Sequence, residues 1–318
     1  MRIPELTCAA LTVALAYFQP VRSQQLSADE KNAAIQTIAK HIAANYVHPE
    51  QGGQTASHIQ MANFNGLFQK ANSWNEFDEM VTNELRKFSG DGHLYVKHDP
   101  AKVKELNDPP AAGNVGNVNG APSAQPAVNE SRVLDGNVGY LKFSEININK
   151  NNVEDVYAAM KKMDGTKALI IDLRDNGGGG SEVGPVLESF FLPAGKPTLR
   201  FTQRDGNFTT DSTMSLKQAG YDNPVYVLIN HNTASAAEAF AFVLQQNRRA
   251  RIVGERSAGA AYMNSWFVVN DENYVSVSTA APSVPGKNIS WEKEGIQPDI
   301  RLKKGDALDV ALREALKN

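Results

Sequence analysis

From residue 24 to residue 100, apolar side chains recur at helical intervals. Ser27 and Glu30 have the spacing of a capping box, which marks a helix start, and an apolar face follows them. Ser73 marks a second start before another apolar face. Residues 93–96 alternate between apolar and polar as a strand does. The pattern therefore predicts a small, mainly helical domain over residues 24–100.

A different pattern follows a stretch that has almost no large apolar side chains. Residues 108–130 are rich in proline, glycine, asparagine and alanine, so we place a flexible linker at residues 101–131. Beyond it, the continuous apolar runs 168–171 and 225–229 predict strands that are covered on both faces. Helical patterns follow both runs. This alternation predicts an α/β core over residues 132–318.

The N-terminus has the pattern of an export signal. Arg2 supplies a positive end, residues 11–18 form an apolar run, and a small-residue exit ends at Ser23. We expect residues 1–23 to be cleaved, which removes the single cysteine, Cys8, and leaves an exported protein without disulfides, periplasmic or secreted. No later segment reaches the ~18 to 20 apolar residues that a membrane span needs.

Composition and missing motifs narrow the function classes. The formal net charge of −3 gives no basic field for nucleic acid, so no nucleic-acid partner is expected. The sequence has no H-E-x-x-H motif, no cysteine cluster and no glycine motif for dinucleotides. We therefore expect neither a metal nor a cofactor. A G-x-S-x-G elbow is also missing, which removes support for an α/β-hydrolase.

Two predicted junctions between a strand and a helix carry candidate chemistry. Residues 172–180 end in four consecutive glycines, whose N–H groups can point into a cleft. A flexible turn is the alternative interpretation. Ser235 lies in the first turn of the predicted helix after the second buried strand, where the helix dipole stabilises negative charge. A helix cap with Glu238 as its partner is the alternative for this serine.

A serine nucleophile needs a base, because its hydroxyl is weakly nucleophilic at its ordinary pKa. Of the six histidines, His93 lies at a strand start directly after a glycine, where its ring can project into a cleft between the two domains. His231 is nearer to Ser235 in sequence, but its place at a strand end is typical of structural or exposed residues. The pattern alone explains His93 equally well as a partly exposed loop residue.

Four motifs resemble, in the same order, those of the C-terminal processing protease family: residues 170–180, 233–238, 254–260 and 294–299. The resemblance spans nearly all of residues 133–304. It implies a core with the ClpP/crotonase-like spiral of strands and helices, and it implies that Ser235 is the nucleophile. The oxyanion donors that it implies are the backbone amides of Gly178, Gly179 and Ala236.

In two features the sequence differs from most of the family and resembles one of its branches. The base lysine of the serine–lysine processing proteases corresponds to Ala260 here, and only the linker occupies the place of a PDZ domain. Both features resemble the tricorn core protease and the interphotoreceptor retinoid-binding protein. The motif 91–94 is typical of that branch, and the resemblance makes His93 the general base. It makes Glu294 the carboxylate that orients His93, with Asp91 as the alternative.

These observations lead to one function and two alternatives. The leading hypothesis is an exported serine-type peptidase that hydrolyses unstructured peptides or protein tails by a Ser-His mechanism. The first alternative is a carrier of small apolar ligands, because the retinoid-binding relatives use a similar architecture. The second is a scaffold that captures peptide ends without cutting them. The expected partner of the leading hypothesis is a peptide or unfolded protein.

Overall fold

The structure is a computed structural model, and it describes residues 26–108, 126–302 and 305–317. The predicted signal segment, with Cys8, lies outside the described residues. The described helices are α1 (Ala28–Asn45), α2 (Pro49–Phe64), α3 (Trp74–Ser89), α4 (Pro100–Asn107), α5 (Val153–Lys162), α6 (Val186–Ser189), α7 (Ala236–Gln246) and α8 (Ala307–Ala315). No helix among these is long and apolar enough to cross a membrane.

The described strands are β1 (Tyr95–His98), β2 (Glu130–Leu134), β3 (Val138–Lys142), β4 (Ile146–Ile148), β5 (Ala168–Asp172), β6 (Gly179–Ser181), β7 (Pro197–Gln203), β8 (Phe208–Ser212), β9 (Val225–Ile229), β10 (Ala250–Gly254), β11 (Met263–Val268), β12 (Asn273–Ser283) and β13 (Ile300–Arg301). They form a six-stranded sheet, a five-stranded sheet and the pair β4–β6. The α/β class predicted from the sequence is confirmed.

The six-stranded sheet has the order β13-β10-β9-β5-β3-β2 and is parallel except for the pair β2–β3. Strands β5 and β9, which the two apolar runs predicted, lie at its centre and are buried at every position. Successive residues of a strand point to opposite faces. Thus Ile171 packs into the cluster that includes α5, α6 and α7, whereas Ile170 packs into the cluster that includes α8.

The second sheet joins the helical lobe (α1–α3 with β1) to the core. It has the order β1-β12-β7-β8, with β11 also paired to β12. Strand β1 pairs antiparallel with β12, from Tyr95 opposite Ser276 to His98 opposite Asn273. Val275 of β12 shares an apolar cluster with residues of α1 and α3. Because β1 begins two residues after His93, this pairing fixes the position of that histidine relative to the core.

The segment predicted as a linker begins with an ordered helix. The side chain of Asp99 accepts a hydrogen bond from the backbone amide of Lys102 and caps α4, and Pro100 occupies the first helical turn. Val103 of this helix is buried. The segment ends in β2, and its residues 109–125 lie outside the described residues.

Candidate active site

Ser235 stands on a sharp turn between β9 and α7. Its backbone has φ 52° and ψ −122°, a conformation that residues with a side chain rarely adopt. Such a conformation costs about 1 to 3 kcal/mol and persists only where neighbouring contacts hold it. One such contact is the hydrogen bond from the Ala234 amide to the carbonyl of Asn176, at 2.9 Å. The turn therefore joins the serine to the glycine-rich segment after β5.

Glu238 holds the turn from its other side. This carboxylate has no exposed surface and accepts hydrogen bonds from the backbone amides of Ser235 (3.0 Å), Gly259 (2.7 Å) and Ala260 (2.9 Å). The hydroxyl of Ser257 also donates to it. Burial raises the pKa of Glu238, and these four donors oppose that effect by stabilising its charged form. Glu238 thus fastens the serine turn to the loop that contains Ala260.

His93 lies within reach of the serine hydroxyl. Its Nε2 is 3.4 Å from the Oγ of Ser235, and a side-chain exposure of 12% places the ring largely out of solvent. Its carbonyl accepts a hydrogen bond from the hydroxyl of Ser276, which fixes the loop against β12. Burial lowers the pKa of His93, an effect that Asp91 opposes and Arg86 reinforces. The ring is therefore neutral at neutral pH, which is the form a base requires.

Asp91 is the carboxylate beside His93. It has no exposed surface, and its Oδ2 accepts hydrogen bonds from the hydroxyls of Tyr46 (2.9 Å) and Ser278 (2.6 Å). Its Oδ1 accepts the backbone amide of His93 at 2.8 Å and lies 4.0 Å from the ring Nδ1. That Nδ1 is buried and has no hydrogen-bond partner among the described residues. At 4.0 Å the two atoms interact electrostatically but are too far apart for a hydrogen bond.

The structure does not bring Glu294 to His93. Its side chain is exposed, and within the described ranges it makes neither a hydrogen bond nor an ion pair with the histidine. Trp291 is buried against Phe242, and the amide of Gly295 donates to the carbonyl of Trp291. This turn directs Glu294 into solvent.

Sequence reasoning missed a more buried glutamate just before this motif. Glu292 accepts hydrogen bonds from the amides of Ala261 (2.8 Å) and Tyr262 (3.2 Å). Burial, with a smaller contribution from the charge of Asp91, raises its pKa to about 7. The only indication in the sequence was that Glu292 follows Trp291, because a large apolar side chain is usually buried and brings its neighbours close to the interior.

The three predicted oxyanion donors differ in their surroundings. The N–H of Gly178 donates to Oδ1 of Asn176 at 2.9 Å, so this amide is engaged in an Asx turn. Gly179 pairs with Ile146 in the β4–β6 ladder and lines the cavity beside Ser235. Ala236 is the first residue of α7, and the N–H groups of a first helical turn have no intrahelical acceptor. Its amide is therefore the best placed of the three to meet developing negative charge.

Gly178 also leaves room that a side chain would fill. Its φ is +110°, and a Cβ at this position would lie 2.6 Å from the Cβ of Ser235 and 3.1 Å from the amide nitrogen of Ala236. On one side of the serine lies a cavity of about 330 Å³, and on the other a cleft of about 410 Å³ that includes His93. Ser235 thus stands where these two spaces meet.

Comparison with known proteins identifies the family and the fold. Residues 137–302 match the model of peptidase family S41, and residues 27–133 match the N-terminal domain of Peptidase_S41 in eukaryotic IRBP. The two matches nearly adjoin, so no PDZ domain separates them, as the sequence predicted. Among the solved structures, a putative peptidase from Parabacteroides merdae has a TM-score of 0.60 at 18% identity and covers 91% of this chain and 97% of that one.

The tricorn protease has a TM-score of 0.59 at 12% identity, covering 92% of this chain and 37% of its own. These two likenesses confirm the fold. The carboxyl-terminal-processing protease of Synechocystis sp. is 34% identical over 165 residues, which are 51% of this chain and 37% of that protein. The chloroplastic carboxyl-terminal-processing peptidase 1 of Arabidopsis thaliana is 32% identical over 166 residues, 52% and 33% of the two chains. The matches thus span about a third of the length of these relatives. The family model matches more than half of the 318 residues of this chain, and the chain therefore belongs to peptidase family S41.

Proposed function

We propose that the protein is a serine peptidase that hydrolyses peptide bonds of unstructured peptides or protein tails. The observation that carries the proposal is the 3.4 Å distance between Nε2 of His93 and Oγ of Ser235, two residues 142 positions apart in sequence. A general base must approach hydrogen-bonding range, about 2.6 to 3.2 Å, and sites without substrate are often looser. The names of the processing proteases that resemble this chain support protein tails as its substrates.

The reaction follows from the positions of these groups. The hydroxyl of Ser235 attacks the peptide carbonyl while Nε2 of His93 takes its proton. The carboxylate of Asp91 stabilises the imidazolium that forms, and the amide of Ala236 faces the negative oxygen at the positive end of α7. His93 then gives its proton to the leaving amine, and water releases the acyl group by the same path. Asp91 takes the orienting role for which the sequence had favoured Glu294.

We also propose that the protein acts after export, in the periplasm or as a secreted protein. The support is the charge and hydropathy pattern of residues 1–23. The carrier of apolar ligands is not favoured. The cavity that would hold such a ligand ends at Ser235, and the relatives that resemble this chain are named as processing proteases and peptidases.

Two measurements test the proposal on the exported protein. The first is cleavage of an unfolded test protein by the wild type and by Ser235→Ala and His93→Ala. We expect each substitution to lower the rate at least 1,000-fold, as loss of a triad member typically does (on the order of 10⁴ or more), with unchanged circular dichroism. The second is labelling with a fluorophosphonate, which should modify Ser235. A folded wild-type protein that neither cleaves nor reacts would overturn the proposal.

A further inference from the structure

The cavity beside Ser235 has apolar walls and two acidic groups. It lies between the helices α6 and α7 and the hairpin β7–β8, and its walls include Leu187, Leu199 and Phe240. Glu188 of α6 and Asp211 of β8 line the same cavity. Its volume of about 330 Å³ is within the range of about 300 to 1,000 Å³ that is typical of ligand sites.

Neither carboxyl group has a cationic partner. In the part of the chain that the structure describes, no ion pair within 4.0 Å involves Glu188 or Asp211. Arg200 of β7, an arginine of the same hairpin, has its guanidinium 4.1 Å from the centroid of the Phe208 ring. Residues 209 and 211 of β8 line the cavity, so Phe208 belongs to the opposite face of this strand. The acidic groups in the cavity are therefore uncompensated.

Partial burial of Glu188 makes its charged form unfavourable in the empty protein. It raises the pKa of Glu188 to about 7, and the charge of Asp211 adds to the effect. Asp211 lies on an exposed strand, so the partial desolvation that raises its pKa costs less there. A cation bound between the two groups would favour their charged forms and remove this cost. The apolar walls would contact the methylene groups of a long basic side chain.

We propose that this cavity binds the side chain on the amino side of the scissile bond and selects lysine or arginine there. The ammonium or guanidinium group reaches Glu188 and Asp211, and the methylenes contact Leu187, Leu199 and Phe240. Because Ser235 lines the same cavity, a substrate side chain that enters it places the adjacent carbonyl at the nucleophile. The inference rests on the proposed peptidase function and deepens it by naming a substrate class.

The experiment compares peptides that differ at this one position, which holds lysine, arginine, norleucine or alanine. At pH 8, where Glu188 is mostly ionised, we expect kcat/KM to be at least 10-fold higher for the basic residues, since hydrogen bonds between charged groups typically contribute about 10-fold to 100-fold. The variants Glu188→Gln and Asp211→Asn should bring the ratio of lysine to norleucine towards one. Glu182→Gln removes an exposed charge outside the cavity and should keep the wild-type ratio.

A binding measurement separates this inference from the proposed function. Peptides that end in lysine or norleucine are titrated against Ser235→Ala, and their anisotropy gives Kd without cleavage. If the wild type cleaves no peptide but the variant binds the lysine peptide at least 10-fold more tightly, the peptidase proposal fails and the basic pocket stands. Equal or tighter binding and faster cleavage of norleucine or alanine peptides would overturn the pocket. A ratio that Glu188→Gln and Asp211→Asn both leave unchanged would overturn it as well.

Discussion

Replacing Asp91 with asparagine tests the assignment of the orienting carboxylate. The substitution keeps the shape of the side chain and removes its charge. Asparagine retains one acceptor where the carboxylate now receives the hydroxyls of Tyr46 and Ser278 and the amide of His93. A mismatch in such a buried network costs about 1 to 3 kcal/mol of unfolding free energy. The variant should therefore fold, with reduced stability.

The expected loss of activity follows from the distance between the two charges. The Oδ1 of Asp91 lies 4.0 Å from Nδ1 of His93. At that separation, with an effective dielectric constant of ~20, two unit charges interact by about 4 kcal/mol. This upper value corresponds to about three pKa units, at ~1.36 kcal/mol each. Allowing for relaxation and water, we expect kcat/KM to fall by about 10²-fold to 10³-fold.

The pH profile separates this role from a purely structural one. The rate requires neutral His93, so kcat/KM falls as the pH drops through the pKa of that histidine. Asp91 raises this pKa, and burial, the larger effect, lowers it. Removing the carboxylate therefore moves the acidic limb of the kcat/KM profile to lower pH. The shift should appear in folded protein, verified by near-ultraviolet circular dichroism.

Asp78→Asn is the matched control. Asp78 is another buried carboxylate of the helical lobe, and it accepts hydrogen bonds from Nδ2 of Asn273 on β12. This variant also replaces a buried carboxyl group next to β12, and because burial raises the pKa of Asp78 to about 7, that group is largely neutral over the acidic limb. The variant should therefore keep the acidic limb of the wild type. If Asp91→Asn retains wild-type kcat/KM, or loses activity without any shift of that limb, the reasoning is refuted.

Three further substitutions test single contacts in peptide cleavage and urea unfolding. Glu294→Gln should leave kcat/KM within about two-fold of the wild-type value, because the charge of an exposed side chain contributes little to the energy of a buried site. A loss above 10-fold would support the catalytic role that the sequence predicted for Glu294. Gly178→Ala should lower kcat at least 100-fold, because the new Cβ would lie 2.6 Å from that of Ser235, at a φ of +110°. Wild-type kcat would contradict this packing. Glu238→Gln should lower the unfolding free energy by about 2 to 4 kcal/mol, because an amide NH₂ would face backbone donors. An unchanged urea midpoint would show that the carboxylate is not needed.

The central strands and the position of Ser235 were accessible from local pattern. A parallel strand covered on both faces must be apolar along its whole length, and this property identified β5 and β9. The helix that follows β9 then places its first turn at the edge of the sheet. The interpretation of Ser235 as a cap had one correct element, since Glu238 does accept the amide of this serine. What the pattern left open was the direction of the hydroxyl, which depends on the strained turn.

The proposed choice of Asp91 over Glu294 was beyond sequence reasoning because it depends on two local turns. In the motif after β12, burial of Trp291 directs Glu292 inward and Glu294 outward, although both are acidic residues in a polar stretch. At the other end, Asp91 follows the helix end at Gly90, whose φ of 70° only glycine adopts readily. In such turns, which of two neighbouring acidic side chains faces inward depends on the backbone angles, and the residue types do not fix these.

In the proposed mechanism the helical lobe is part of the catalytic arrangement, because the surroundings of His93 come from both lobes. Tyr46 at the end of α1 and Ser278 of β12 donate to the same oxygen of Asp91, although they are 232 positions apart. The antiparallel pairing of β1 with β12 fixes the position of the loop that contains His93 along β12. The hydroxyl of Ser276 also donates a hydrogen bond to the carbonyl of His93. A base placed in this way depends on long-range pairing, which is why the residues around position 93 indicated His93 only through the family resemblance of the motif 91–94. It also follows that a substitution which loosens the contact between β1 and β12 should lower the rate before it unfolds the core.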